Sequence, residues 1–397
     1  MSHFDLPAGY RFAGLASGIK KSGKLDMALI SSAQPADCAG VFTQNRVIAA
    51  PLQITRPKVA TGRCQAVLIN SGNANACTGD EGLEVAQKTV ELLAAELVLP
   101  EELVAVASTG VIGVQMPLVP FENGIPGLVA ALADDQATMV AEAMMTTDAF
   151  SKLASARDEH QGTAYSILGL AKGAGMIHPN MATMLGFVLT DAAIAPALLD
   201  TLLHRAVKKS FNSITVDGDT STNDMVLLLA NGANGGAPIE AGTAAAEQFS
   251  LHLERVLLDL AKMIVRDGEG ATKLVEIRVT GAIDEPSART VAKSVATSSL
   301  VKTAFFGEDA NWGRIIAAVG YSGIDVDQNR IDINFNQISV ARNGLTTGPE
   351  LEAQATEILK LDDFVVNIDL NQGRSEASYY TSDLGYDYIK INADYRT

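Results

Sequence analysis

Two hydrophobic periods run through the chain. Alternation by two marks Val275, Ile277 and Val279 with Glu276 and Arg278 between them, then Ile331, Ile333 and Phe335, then Phe364, Val366, Ile368 and Leu370; these predict half-buried strands. Unbroken apolar runs, Gln65-Ala-Val-Leu-Ile-Asn70, Val104-Ala-Val-Ala107 and Met184-Leu-Gly-Phe-Val-Leu189, predict strands covered on both faces. Shorter strand-like runs stand at Ala28–Ile30 and Ala39–Phe42. Helical spacing places Leu83, Ala86, Val90, Leu93 and Leu97 on one side of a helix. It does the same for Leu198 to Phe211 behind a helix-opening Pro196, and for Phe249 to Ile264. Gly268 is the expected terminator of the last of these. Residues 127–146 read as one helix and 152–162 as a polar surface loop. Strands and helices in mixture, with no repeat and no clear linker, predict an α/β layered fold.

The remaining bulk properties narrow the function. The chain has 397 residues, of which 47% are hydrophobic and 19% charged, so it is long and apolar enough for a large core. A formal net charge of −16 argues against nucleic acid or acidic membrane as a partner. No uncharged apolar run reaches the roughly 18 residues of a membrane span. The first residues lack a charged stretch followed by an apolar one, so no signal peptide is expected. Cys38, Cys64 and Cys77 have no paired spacing and read as reduced thiols of a cytoplasmic protein, not as a disulfide or zinc framework. The Asp217–Asp224 run has a calcium-loop flavour. It carries Thr222 where the sharp-turn glycine belongs and Leu228 where the acidic twelfth ligand belongs. No metal site and no cofactor are expected.

Candidate chemistry sits in the loops. Lys172-Gly-Ala-Gly-Met-Ile-His-Pro-Asn-Met-Ala-Thr-Met-Leu185 is a tightly shaped Gly/Pro loop that delivers Thr183 to the start of a core strand. Thr183 is there either for β-propensity or as a nucleophile held on a rigid element. Ser108-Thr-Gly-Val-Ile-Gly113, at the end of another strand, holds the parts of an oxyanion site, one hydroxyl and one flexible backbone amide. The Asn70–Gly79 run, rich in Asn and small residues, is either a structural turn region or a binding loop. Glu269 lies between two glycines, as a solvated turn charge or as a carboxylate with close backbone access.

The wording of these stretches closely resembles the ornithine acetyltransferase family, the glutamate N-acetyltransferases of arginine biosynthesis. The resemblance covers essentially the whole chain. It rests on the Lys172–Leu185 run, on Ser108–Gly113, on Met144-Met-Thr-Thr-Asp-Ala-Phe150, on Val216–Asp224, on Asp267-Gly-Glu-Gly-Ala-Thr-Lys273, on Gly307–Arg314 and on the ending Ile391–Thr397. Ala149 and Ser151 stand where the family more often has Thr and Pro. The resemblance implies self-cleavage between Ala182 and Thr183, giving fragments 1–182 and 183–397 woven into one layered α/β sandwich of the Thr-nucleophile type. It implies Thr183 as nucleophile and Thr109 with Gly110 as the oxyanion site. It implies Thr146, Lys172, Thr183, Glu269, Asn392 and Thr397 as substrate contacts, with Lys172 offering a cation to a carboxylate and Glu269 an anion to an amine. The implied reaction is ping-pong acetyl transfer from N-acetylornithine to glutamate, with two copies of each fragment in the assembly. Some members also accept acetyl-CoA, and no residue here decides that. A self-processing amidohydrolase or aminopeptidase is the competing reading within the same chemistry, and a non-enzymatic small-molecule binder lies outside it.

Overall fold

A computed structural model describes residues 4–178 and 184–393. The strands are β1 (Tyr10–Leu15), β2 (Met27–Phe42), β3 (Arg63–Asn73), β4 (Val104–Val111), β5 (Lys152–His160), β6 (Thr163–Lys172), β7 (Leu185–Thr190), β8 (Ile214–Thr215), β9 (Met225–Ala230), β10 (Leu274–Ala282), β11 (Asp332–Phe335), β12 (Ile338–Arg342), β13 (Leu345–Thr346), β14 (Asp363–Asp369) and β15 (Ser375–Ser382). The helices are α1 (Ala50–Val59), α2 (Gly79–Leu97), α3 (Val119–Ala130), α4 (Ala137–Met144), α5 (Pro196–Lys209), α6 (Ala244–Arg266), α7 (Glu285–Ala296), α8 (Ser299–Phe306), α9 (Trp312–Gly320), α10 (Pro349–Leu359) and α11 (Tyr386–Ala393). They fall into two compact units. Of the described residues, the first holds 4–176, 184–212 and 219–264, and the second holds 177–178, 213–218 and 265–393.

Among the described residues, the first unit is built on an eight-stranded sheet in the order β4-β3-β2-β9-β7-β6-β5, with β1 also paired to β2. The unbroken apolar runs are explained by what covers them. In β3, Val67 and Ile69 join one core while Ala66 and Leu68 join another, and β2 and β4 divide in the same way. Helix α4 supplies Val140, Ala141 and Met144 to the first core, whereas α2 and α3 supply Val90, Leu93, Phe121 and Ile125 to the second. With both faces buried, every position can be apolar and the period of two disappears. At Gly169 of β6, an added Cβ would lie 2.7 Å from Leu260 and 2.8 Å from Val256 of α6, so the glycine lets that helix approach.

The second unit has a seven-stranded sheet in the order β13-β12-β11-β14-β10-β15-β8. One face packs Val275, Ile277, Val279, Val366 and Ile368 against α7, α8, α9 and α10 through Val291, Phe305, Ile315 and Leu359. The intervening residues are polar: Arg278 pairs with Glu376 at 2.8 Å, and Ser378 donates to Glu276 at 2.6 Å. One covered face gives the alternating pattern seen in the sequence. The α/β layered expectation holds in both units.

Several boundaries differ from the sequence reading. Residues 127–146 are not one helix; α3 ends at Ala130 and α4 begins at Ala137. The 152–162 segment is not a loop. It contains the edge strand β5, whose one ladder partner among the described residues is β6. The two short runs near residues 28 and 40 are parts of one strand, β2, with a register shift between Ser31 and Ala36. Leu83 is exposed, leaving Ala86, Val90 and Leu93 as the buried face of α2. Gly268 has no left-handed backbone; Gly270, with φ of +69°, takes that conformation beyond α6.

Phe187 stands in the middle of β7 with no exposure, between β6 and β9. Phe187→Ala should lower stability by about 3–5 kcal/mol, read as a shift of the urea midpoint at unchanged slope.

Candidate active site

In the first unit the site grows from the ends of β3 and β4, which run parallel with Ser71 opposite Thr109 and Gly72 opposite Gly110. Gly110 has φ of +132°, and a Cβ there would lie 2.4 Å from the Gly72 carbonyl carbon. Only glycine fits, and β4 stays paired with β3 through Val111, where Val111 and Ile112 emerge at the surface. Thr109 itself is 4% exposed.

The Asn-rich run is scaffolding for these strand ends. Asn70 donates to the Asn73 carbonyl at 3.0 Å and accepts from the Ser108 hydroxyl at 2.6 Å. Asn73 donates to the Val114 carbonyl at 3.1 Å, and Asn75 to the Gly82 carbonyl at 2.8 Å. Asn223 donates to the carbonyls of Ala74 at 2.6 Å and Ser108 at 2.9 Å, which ties the loop to β4. Each amide is spent on a backbone carbonyl.

Lys172, at the end of β6 and 3% exposed, brings the hydroxyls together. Its Nζ donates to Thr146 Oγ1 at 2.9 Å and to Thr109 Oγ1 at 3.3 Å, and lies 3.8 Å from Asp148 Oδ2. An ammonium has donors only. Both hydroxyl oxygens therefore accept, and the Thr109 proton is left for another acceptor. Lys172 is thus a buried organiser of the two threonines, beyond the cation expected for a carboxylate.

Asp148 is the group that makes a buried Lys172 tolerable. Its Oδ1 accepts from Lys152 Nζ at 2.8 Å and from the Gly173 amide at 2.6 Å, and its Oδ2 accepts from the Thr146 amide at 2.8 Å. Burial alone would raise this carboxyl; the Lys172 and Lys152 charges and the Thr146 amide overcome it and hold the group well below the usual carboxylate range. Lys20 donates to the carbonyls of Leu25 at 2.8 Å and Met145 at 2.7 Å; burial lowers its pKa to about 8 against the opposing pull of Asp26. The sequence reading missed Asp148, Lys152 and Lys20. Asp148 lies inside the Thr146-Thr-Asp motif, and its partners combine the nearby Thr146 and Lys152 with Lys172 and Gly173 from the end of β6.

Ala182 and Thr183 lie outside the described residues, as does Thr397. Met184, next along the chain, donates its amide to Asp224 Oδ1 at 2.9 Å. Asp224 closes the run once weighed as a calcium loop; among the described residues no cluster of three or more acidic, His or Cys side chains could hold a metal. His178 belongs to the second unit, where its ring faces the Thr215 hydroxyl at 3.5 Å.

In the second unit Glu269 is 8% exposed and accepts from Asn392 Nδ2 at 2.8 Å. It is a partnered, buried carboxylate and not a solvated turn charge. Gly270 makes this possible: a Cβ there would lie 2.5 Å from the Tyr388 amide, so α11 can pass directly over the turn. The other end of the motif is fixed by Asp383, which accepts from the Thr272 amide at 2.8 Å, the Thr272 hydroxyl at 2.6 Å and the Lys273 amide at 3.0 Å. The structure therefore brings Thr109, Gly110, Thr146 and Lys172 together in one unit, and Glu269 with Asn392 in the other.

The family model described as "ArgJ family" matches residues 11–397. The chain belongs to the ArgJ family. The arginine biosynthesis bifunctional protein ArgJ of Syntrophotalea carbinolica is 59% identical over 98% of this chain and 99% of its own. The ArgJ of Geobacter sulfurreducens is 52% identical over the same shares. Among solved structures, the ArgJ of Bacillus halodurans is similar at 45% identity and a TM-score of 0.51, over 52% of this chain and 97% of that one. Among the described residues of this ArgJ-family chain, no helix is long and apolar enough to cross a membrane.

Asp148 carries a stability prediction with a definite sign. Its pKa is depressed on folding, so its contribution is complete above the unfolded value of about 4 and is lost as pH falls through the folded value. Asp148→Asn, which strips two buried lysines of their counter-charge, should cost about 3–5 kcal/mol at neutral pH. In urea titrations the gap to wild type should narrow steadily below about pH 4; a gap independent of pH would show that Asp148 is not ionised in the folded protein.

Proposed function

We propose that this acyltransferase of the ArgJ family moves an acetyl group from N-acetylornithine to glutamate through an ester on Thr183. The observation that carries the reading is the full-length family match joined to the Lys172–Thr109 contact. It supports a threonine hydroxyl whose oxygen is already engaged by a buried cation and whose proton is free to meet a developing oxyanion.

A threonine hydroxyl is a weak nucleophile at neutral pH and needs a base. Cleavage of the Ala182–Thr183 bond supplies one on the same residue, because a free α-amine has a pKa of about 7.7–8.0. In the precursor the Thr183 hydroxyl attacks the Ala182 carbonyl and the resulting ester is hydrolysed. In the mature enzyme the same hydroxyl attacks the acetyl carbonyl of N-acetylornithine, and Thr109 with the Gly110 amide receives the negative charge. Ornithine leaves, taking a proton, and the glutamate amine then attacks the acetyl ester. Thr146, Lys172, Asn392 and Thr397 hold the substrate, and Glu269 meets its amino group by a charge-assisted hydrogen bond. The fragments 1–182 and 183–397 stay together, two of each in the assembly, in the cytoplasm. The Bacillus halodurans chain matches only about half of this one while being covered almost completely, the size expected of one fragment. The relatives' name, bifunctional, supports acetyl-CoA as a second donor.

Intact-mass measurement should show two fragments for wild type and one uncut chain for Thr183→Ala. Acetylornithine alone should add one acetyl group to the fragment that begins at residue 183, and glutamate should remove it as N-acetylglutamate. An adduct that decays equally fast without glutamate would mark a hydrolase instead. Thr109→Ala should lower kcat by about 10²–10³ with little change in KM. An unchanged kcat with raised KM would reduce Thr109 to a binding contact.

A further inference from the structure

Asp224 has no exposed surface, and nothing in the proposed chemistry uses it. It stands immediately before β9. Its backbone carbonyl accepts from the Thr43 amide at 3.0 Å, which pins it beyond the end of β2. Its Oδ1 accepts from the Met184 amide at 2.9 Å, and the Met184 carbonyl accepts from the Met225 amide at 3.3 Å. Strands β7 and β9 run parallel from the next pair, Leu185 opposite Met225. A side chain thus completes the ladder at the point where the chain enters β7.

The second oxygen, Oδ2, has no hydrogen-bond partner among the described residues. An ionised carboxylate buried in that state would be strongly unfavourable, and such a group takes up a proton instead. Burial drives the Asp224 carboxyl well above its ordinary range. The Met184 amide, the Ser221 hydroxyl, the Lys172 charge and the Thr43 hydroxyl pull the other way without offsetting it. The Thr43 hydroxyl proton is committed elsewhere, to the Ser221 carbonyl at 2.8 Å.

We propose that Asp224 is a positioning residue of the acyl transfer, an uncharged acid that fixes the Met184 amide and through it the placement of Thr183. The proposal rests on the reading of Thr183 as nucleophile. Thr183 and Met184 share one planar peptide bond, so the amide that Asp224 anchors lies in one plane with the Thr183 α-carbon. A nucleophile must meet its carbonyl at about 3–3.5 Å, and a 1 Å misplacement costs about 10²-fold in rate. The task needs an acceptor oxygen and no charge. Asparagine keeps the acceptor and the neutral state, whereas alanine loses the acceptor.

The test compares self-cleavage, followed by intact mass, with kcat and KM for acetylornithine and glutamate. Asp224→Ala should slow both cleavage and kcat by about 10²-fold while KM moves by less than about threefold. Asp224→Asn should recover most of that loss, with a pH–rate profile that overlays the wild-type curve. Wild-type rates in the alanine variant overturn the proposal. So does an asparagine variant as slow as the alanine one, or one that lacks a pH limb present in wild type, since either means that the charge matters. If the alanine variant fails to fold, the asparagine pH profile alone decides. Thr183→Ala is run alongside: cleavage in that variant removes Thr183 from the chemistry and the proposal with it. An uncut Thr183→Ala chain with wild-type rates in Asp224→Ala removes only the role of Asp224.

Discussion

One buried carboxylate, Asp148, sets the terms for the first unit's site. Lys152 is wholly buried and Lys172 nearly so, and neither could stay charged there without a nearby anion. Asp148 meets Lys152 with one oxygen, faces Lys172 with the other, and fills its remaining positions with the Thr146 and Gly173 amides. Those two amides belong to the segments before β5 and after β6. The same group that neutralises the lysines therefore also fixes the loops that carry Thr146 and the start of the Gly173–His178 stretch.

From that anchor the chemistry follows by elimination of donors and acceptors. Lys172 can only give hydrogen bonds, so Thr109 and Thr146 receive them through their hydroxyl oxygens, and the two side chains are held against one buried cation. In the second unit the logic is the same with opposite charge: Glu269 is held by Asn392 and by a turn that only Gly270 allows.

Backbone geometry makes these arrangements possible at very few positions. Gly110 lets β4 end against β3 with a hydroxyl on its last buried residue, and Gly169 lets α6 lie close on β6. The amides of Asn70, Asn73, Asn75 and Asn223 then donate to backbone carbonyls around the ends of β3 and β4 and the start of α2. The run that read either as a binding loop or as a structural turn is the second of these. The hydrogen-bond inventory decides it, since a side chain committed to backbone has little left for a ligand.

The sequence alone determined the layered α/β class, the buried strands around Leu68, Val106 and Phe187, the alternating strands of the second unit and the helices from Pro196 and Ala244. These follow from local periodicity, which a single chain displays directly. Its motifs also carried the family. Tertiary structure decided what periodicity does not encode. Residues 152–160 became a strand because β6 offers an edge, although their composition suits a loop, and the helix read over 127–146 broke between Ala130 and Ala137. The roles of Asp148, Lys20 and Asp224 depend in part on groups tens of residues away, and no local pattern marks them. A buried charge has meaning only through its partners, and partners are chosen by the fold.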